Sequence, residues 1–256
     1  MPSASSPDQR WCHVQLLECQ DLTMNFGGAA ALTDVNITAA AGAITGLIGP
    51  NGAGKTTLFN CVTGLLEPTS GRVLLEGDEI TSLAPFRRAR RGVARTFQRL
   101  ELFTSLSVRD NIRVAGEIRG RWSRSKVDPR AETDEVIELL GLTSLADRDV
   151  AEIPTGMARR VEMGRALMTR PKILLLDEPA SGQDEQETEE FGELLMQLCA
   201  QGTAILLVEH DVSLVMKVCS YIQVLDFGRV IASGTPSEIQ TNPAVLEAYL
   251  GEDNKA

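Results

Sequence analysis

Gly49-Pro50-Asn51-Gly52-Ala53-Gly54-Lys55-Thr56-Thr57 follows the apolar run Ala43-Ile44-Thr45-Gly46-Leu47-Ile48 and leads into a helical pattern over 56–63. A G-x-x-x-x-G-K-[ST] string acquires meaning in this strand, glycine-loop and helix setting. The glycines let the backbone curl so that successive N–H groups point inward and cradle phosphate oxygens. The helix that follows offers its unpaired N–H groups and positive dipole end to the same anion. Lys55 is then expected near the β- and γ-phosphates and the Thr56 hydroxyl on Mg²⁺. The stretch predicts a site for a nucleoside triphosphate, and an α/β fold to carry it.

Outward from this loop, composition sets bounds. The chain has 256 residues, 43% hydrophobic and 23% charged, which suits one large globular domain or a core with an inserted subdomain. Its apolar runs fall short of the ~20 residues that span a membrane. Residues 1–12 open polar and rich in Ser and Pro, without the apolar stretch of a signal peptide, and are expected to form a disordered leader. The net charge of -10 argues against broad nucleic-acid or anionic-membrane binding. Arg87-Arg88-Ala89-Arg90-Arg91 is a local basic cluster. The five cysteines lack a C-x-x-C spacing, and Cys61, Cys199 and Cys219 read as reduced core residues of a cytoplasmic protein. Trp11-Cys12-His13 is a poor metal candidate in a chain with two histidines.

Upstream, strands are expected at 14–17 and 34–37, around the turn Asn25-Phe26-Gly27-Gly28. Phe26 is one of few aromatics, and its ring is either an adenine-stacking surface or an ordinary packed Phe. Downstream, a turn at 67–71 precedes a strand at 72–76. Gln98, at the end of Arg95-Thr96-Phe97-Gln98, is a candidate for the Mg²⁺ and attacking-water environment. From 106 to 141 the pattern is helical, with Ser107 as a cap and Gly141 as a terminator. Between them 119–130 reads as an exposed basic loop, so the region is a helical insertion.

Ile153-Pro154-Thr155-Gly156-Met157 then precedes a helix at 158–169, broken by Pro171. Ile173-Leu174-Leu175-Leu176-Asp177-Glu178-Pro179 is an apolar run of the kind buried on both faces of a sheet, ending in two carboxylates. Asp177 fits a second Mg²⁺-holding element, and Glu178 a general base for water. Further on come an amphipathic helix over 186–199, a buried strand over 203–208 ending in Glu209-His210-Asp211, and a hairpin over 221–233. Helices over 236–250 leave Val245, Leu246, Tyr249 and Leu250 available for docking. His210 is either structural or a hydrogen-bond partner of the γ-phosphate.

In this order, the phosphate loop, Gln98, Leu174-Leu175-Leu176-Asp177-Glu178-Pro179 and His210 resemble the ATP-binding subunits of ABC transporters, over about residues 16–251. Ala94-Arg95-Thr96-Phe97-Gln98, Val208-Glu209-His210-Asp211 and the Gly234-Thr235-Pro236 tail are similar to the branched-chain amino-acid uptake subfamily. The resemblance implies a P-loop NTPase (RecA-like) core at 13–98 and 166–256. It adds an N-terminal antiparallel β region and a helical subdomain at 99–165 that bears the signature motif. It implies ATP and Mg²⁺ as cofactors, and ATP sandwiched between this chain and a second ATP-binding subunit. The other implied partners are membrane permease subunits and a solute-binding protein, not nucleic acid. The implied location is the cytoplasmic face of the membrane. By position Phe26 would stack on adenine, Gln98 sense the γ-phosphate, Thr56 and Asp177 hold Mg²⁺, and Glu178 and His210 act in hydrolysis. Residues 181–184 would touch the partner subunit. Pro154-Thr155-Gly156-Met157 departs from the family's Ser-Gly-Gly-Gln: Pro154 lacks the hydroxyl and N–H of a Ser, and Met157 lacks an amide. Alternatives are related subunits for urea, amides or lipopolysaccharide, a soluble ABC ATPase, or a catalytically idle regulatory subunit.

Overall fold

The computed structural model describes residues 15–123 and 128–253; the expected leader at 1–12 and the Trp11-Cys12-His13 string lie outside them. The chain opens with a long hairpin, β1 (Gln15–Phe26) and β2 (Ala29–Ala40). Then come β3 (Ile44–Ile48), α1 (Lys55–Thr63), β4 (Ser70–Leu75), β5 (Asp78–Glu79), α2 (Pro85–Arg91) and β6 (Val93–Arg95). The helices α3 (Val108–Trp122), α4 (Pro129–Leu139) and α5 (Thr155–Leu167) follow, before β7 (Ile173–Asp177), α6 (Glu185–Ala200), β8 (Ala204–Val208) and α7 (Val212–Val218). The hairpin β9 (Tyr221–Asp226) and β10 (Arg229–Gly234) leads into α8 (Pro236–Gln240) and α9 (Pro243–Asp253).

Two sheets result. One is antiparallel with order β2-β1-β4-β5. The other has order β10-β9-β3-β8-β7-β6, parallel except for its β10 edge. The central strands are apolar throughout because each feeds two cores. Side chains alternate faces along a strand, so Leu174 and Leu176 join Ile205 and Leu207 on one face, with Ile112, Val161 and Phe191. Ile173 and Leu175 join Leu206 and Leu47 on the other, with Leu58, Phe59 and the hairpin residues Leu22 and Leu32. The helices α3 to α5 therefore share a core with the parallel sheet, and the expected division at 165 falls inside α5.

Several local expectations hold. The Ser107 hydroxyl accepts the Asp110 N–H at 3.0 Å, Gly141 is left-handed just beyond α4, and Phe191, Leu194, Leu195 and Leu198 face inward from α6. Cys61, Cys199 and Cys219 are buried free thiols, and burial pushes them up to about 11, about 12 and about 12.

Two expectations need correction. Residues 119–122 are not an exposed loop, since α3 continues to Trp122 and Arg119 is buried against Glu132 and the Met168 carbonyl. A guanidinium with a carboxylate partner can enter a core that a lone charge cannot. The 87–91 cluster is likewise not all surface. Arg88 is buried, donating to the carbonyls of Cys61 (2.6 Å), Val62 (2.8 Å) and Leu83 (2.9 Å), so it closes the end of α1 rather than offering charge to a partner.

Candidate active site

In an open parallel sheet, ligands gather beyond the carboxyl ends of the strands, and the site is built there. The phosphate loop leaves β3 at Gly49, whose φ is 150°. A Cβ at that position would lie 1.9 Å from the Leu225 carbonyl oxygen, so only glycine lets the loop pass β9. Gly54, at φ 109°, turns the chain into α1, and a Cβ there would meet the Ala31 carbonyl at 2.8 Å. No acidic side chain occupies the first turn of α1, which leaves the positive helix end for an anion. Lys55 is buried, and its Nζ donates to the carbonyls of Gly49 (2.5 Å) and Pro50 (2.9 Å).

Two strands away, β7 ends at Asp177, which is 2% exposed. The next residue, Glu178, extends the pairing through its N–H to the Val208 carbonyl (2.9 Å) while its φ turns to 51°. A left-handed non-glycine residue costs of order 1–3 kcal/mol and tends to persist at functional sites. The Glu178 carboxylate accepts the Gln98 side-chain amide at 3.2 Å and shares 2.7 Å with His210 Nε2. Residues from the ends of β6, β7 and β8 thus converge on one carboxylate. Together with 51–57 of the loop, Gln98 and Glu178 line a cavity of about 440 Å³, closed on another side by Ala30, Ala31, Phe227 and Gly228.

Most sequence-derived candidates therefore meet. Asp177 stands behind the cavity, its carboxylate 2.8 Å from Arg95 Nη2. Phe26, at the tip of β1 and half-exposed, is not among the cavity-lining residues. The 154–157 stretch forms the start of α5, with Pro154 as its N-cap lacking a side-chain cap bond. A Cβ on Gly156 would lie 3.3 Å from Gln183 Cγ, so the start of α5 runs close beside the Ser181-Gly182-Gln183-Asp184 loop. Asp184 and Glu187 close that loop with a capping box on α6.

Three residues escaped sequence reasoning. Glu209 is buried and accepts the N–H groups of Ala180 (2.7 Å) and His210 (3.1 Å); burial pushes its carboxyl above the usual range. It ties the loop after Glu178 to the strand end that carries His210. Arg95 binds Asp177, and Phe227 lines the cavity. A charge directly after an apolar strand, or inside one, is the signal that marks Glu209 and Arg95, because such a group needs a buried partner.

Hydroxyl, carboxylate and amide oxygens from Thr56, Asp177 and Gln98 are hard donors that suit Mg²⁺. Among the described residues no cluster of three His, Cys, Asp or Glu forms a dedicated metal cage. That fits an ion held by one or two carboxylates, with substrate phosphates and waters completing its shell.

The sequence pattern described as "ABC transporter" matches residues 32–181. The chain belongs to this family. The ABC ATPase also matches, over residues 229–254, the pattern described as "Branched-chain amino acid ATP-binding cassette transporter". It is 42% identical over 252 residues to the high-affinity branched-chain amino acid transport ATP-binding protein LivG of Escherichia coli, covering 93% of this chain and 98% of that protein. It is 40% identical over 250 residues to BraF of Pseudomonas aeruginosa, similarly named, with the same coverage. Among solved structures, it superposes on the ADP conformation of an ABC-transporter cassette with TM-score 0.82 and 30% identity, covering 93% and 99% of the two chains. The ABC ATPase is thus an ATP-hydrolysing transporter subunit. No helix among its described residues is long and apolar enough to cross a membrane.

Proposed function

We propose that this subunit powers the import of branched-chain amino acids from the cytoplasmic face of a membrane, working with permease subunits, a second ATP-binding subunit and a solute-binding protein. The cargo rests on the tail match at 229–254. The chemistry rests on the convergence of the phosphate loop with Gln98, Glu178 and His210.

In this reading the amides of 49–57 and Lys55 bind the triphosphate, with Phe26 stacking on adenine. Thr56, Asp177 and Gln98 hold Mg²⁺, which when bound offsets phosphate charge and orients the γ-phosphoryl group. Glu178 takes a proton from water as its oxygen attacks γ-phosphorus in line with the departing ADP oxygen. Gln98 and His210 aim that carboxylate. Pro154, Thr155, Gly156 and Met157 face the partner's nucleotide, and Ser181-Gly182-Gln183-Asp184 touches the partner subunit.

Permease docking is assigned to the groove of about 510 Å³ between α2 and α3, lined by Leu65, Phe86, Phe97, Ile118 and Trp122. Phe97 connects groove and site: it is the neighbour of Gln98, and α5 holds its N–H through Glu162 (3.1 Å).

Lys55→Ala tests the binding assignment. Removing a charge-assisted partner costs ~1.5–3 kcal/mol, so ATP affinity is expected to fall roughly 10- to 100-fold by titration calorimetry. Unchanged affinity would withdraw the phosphate-loop assignment.

The unusual start of α5 carries a second expectation. If the partner's γ-phosphate misses a hydroxyl from 154 and an amide from 157, a homodimer of this chain turns over slowly. Pro154→Ser with Met157→Gln should then raise phosphate release roughly tenfold or more. Equal rates before and after would show that the substitutions are neutral.

A further inference from the structure

Phe227 sits where local rules disfavour it. The β9–β10 connection is two residues, Phe227 and Gly228, between the paired Asp226 and Arg229. Both central residues have positive φ, 41° and 72°, as the tight primed hairpin turn requires. Asn-Gly fills such a turn at little cost, whereas a bulky ring at the first position strains the backbone. The ring is also 80% exposed, so core packing does not compensate for the strain. A residue that breaks a local rule while its ring stays largely exposed points to function.

Its position says which function. The turn is clamped to the nucleotide site: the Gly228 N–H donates to the Ala53 carbonyl (2.9 Å), and the Gly228 carbonyl accepts the Thr33 N–H (2.8 Å). A Cβ on Gly228 would lie 2.5 Å from the Ala31 carbonyl, so the turn lies flush on β2. Phe227, Gly228, Ala30 and Ala31 form the wall of the cavity without ionisable groups, while Lys55, Gln98 and Glu178 supply its polar side. A triphosphate taken by the polar side leaves its base toward the uncharged wall. An exposed aromatic face there suits a purine, since base–aromatic stacking is tolerant of base identity.

We propose that the Phe227 ring is a base-binding surface of the nucleotide site, contacting adenine from the β9–β10 turn in addition to Phe26. The proposal rests on the reading of 49–57 as the phosphate loop, and the test separates the two. ATP and inorganic tripolyphosphate, which has phosphates but no base, are titrated into the full chain and into Phe227→Ala, Phe227→Trp and Lys55→Ala. Phe227→Ala should lose roughly 5- to 20-fold in ATP affinity and keep its tripolyphosphate affinity. Phe227→Trp should stay within about twofold of the parent for both. Lys55→Ala should weaken both probes.

Phe227→Asn separates a ligand role from a structural one. It should weaken ATP like the Ala variant yet raise the melting temperature by about 2 °C, because Asn tolerates the left-handed turn. Unchanged ATP affinity in Phe227→Ala overturns the proposal, and so does equal loss for both probes, which would mean a displaced phosphate loop. Intact ATP affinity with weakened ATP-driven dimerisation would make the ring a contact for the second subunit, and overturns it too. A parent chain that binds neither probe would remove the phosphate-loop reading itself.

Discussion

Glu178→Gln is expected to bind ATP as well as the parent chain and to release phosphate two to four orders of magnitude more slowly. A positioned general base contributes about 10²–10⁴ in rate, and this exchange removes the proton acceptor with little else. Gln keeps the length, the planar head and one carbonyl oxygen, so the contacts that Gln98 and His210 make with Glu178 at 3.2 and 2.7 Å retain partners. The left-handed backbone at 178 is unchanged by a substitution beyond Cβ. One negative charge leaves a cavity that receives a polyanion, so affinity should hold or rise. Hydrolysis then stops limiting the lifetime of the ATP-bound state. By mass action, size-exclusion chromatography in ATP should show a dimer that the parent loses as it turns over. Phosphate release above about a tenth of the parental rate, with binding intact, would be far outside the range for a lost base and would remove Glu178 from that role.

The parts of this site that sequence discloses are those whose physics is local. A six-residue loop with three glycines ahead of Lys55 is suited to bind an anion through its own backbone, so Gly49 to Thr57 is legible without knowing what lies across from it. The run 173–177 is legible as a two-faced strand because all five of its residues are buried in the observed sheet. Helix ends follow the same logic: the Ser107 cap and the inward stripe of α6 depend on neighbours three and four residues away.

What sequence hid depends on pairing at a distance. β1 and β2 are each 12 residues long, yet only short pieces read as strands. Their polar, exposed positions are held by the partner strand rather than by propensity. Arg88 and Arg119 look like solvated surface because an arginine's burial is decided by carbonyls and carboxylates elsewhere, here at 61–62, 83, 132 and 168. Phe26 is the aromatic that precedes the loop in sequence, but Phe227, about 170 residues downstream of the loop, lines the cavity. The helices α2 and α7, of seven residues each, are too short for a periodic signal to emerge.

The largest stability effect is expected at Arg95. Its guanidinium bridges three elements: Nη2 meets Asp177 at 2.8 Å, Nη1 meets the Asn60 side-chain oxygen at 2.6 Å, and its carbon lies 5.2 and 5.1 Å from the ring centroids of Phe59 and Phe97. Arg95 and Asp177 side chains are 4% and 2% exposed, so solvent does little to screen or replace the pair. Breaking a buried pair by removing one partner costs about 3–5 kcal/mol, because a charge stays behind without its counterpart. Against a total stability of about 5–15 kcal/mol for a folded protein, Arg95→Met should move the urea midpoint sharply down. Arg95→Lys should recover part of the loss, since an ammonium reaches one acceptor but neither forks nor stacks as a guanidinium does. Arg95→Met with Asp177→Asn should cost less than the sum of the single changes, because the stranded charge is gone. An Arg95→Met cost under about 1 kcal/mol, the range of exposed ion pairs, would mean that water reaches Asp177 and that Arg95 does not govern it. If the pair is as tight as its geometry indicates, Arg95 holds the carboxylate proposed for Mg²⁺, and its stacking on Phe97 places that hold at the groove assigned to the permease.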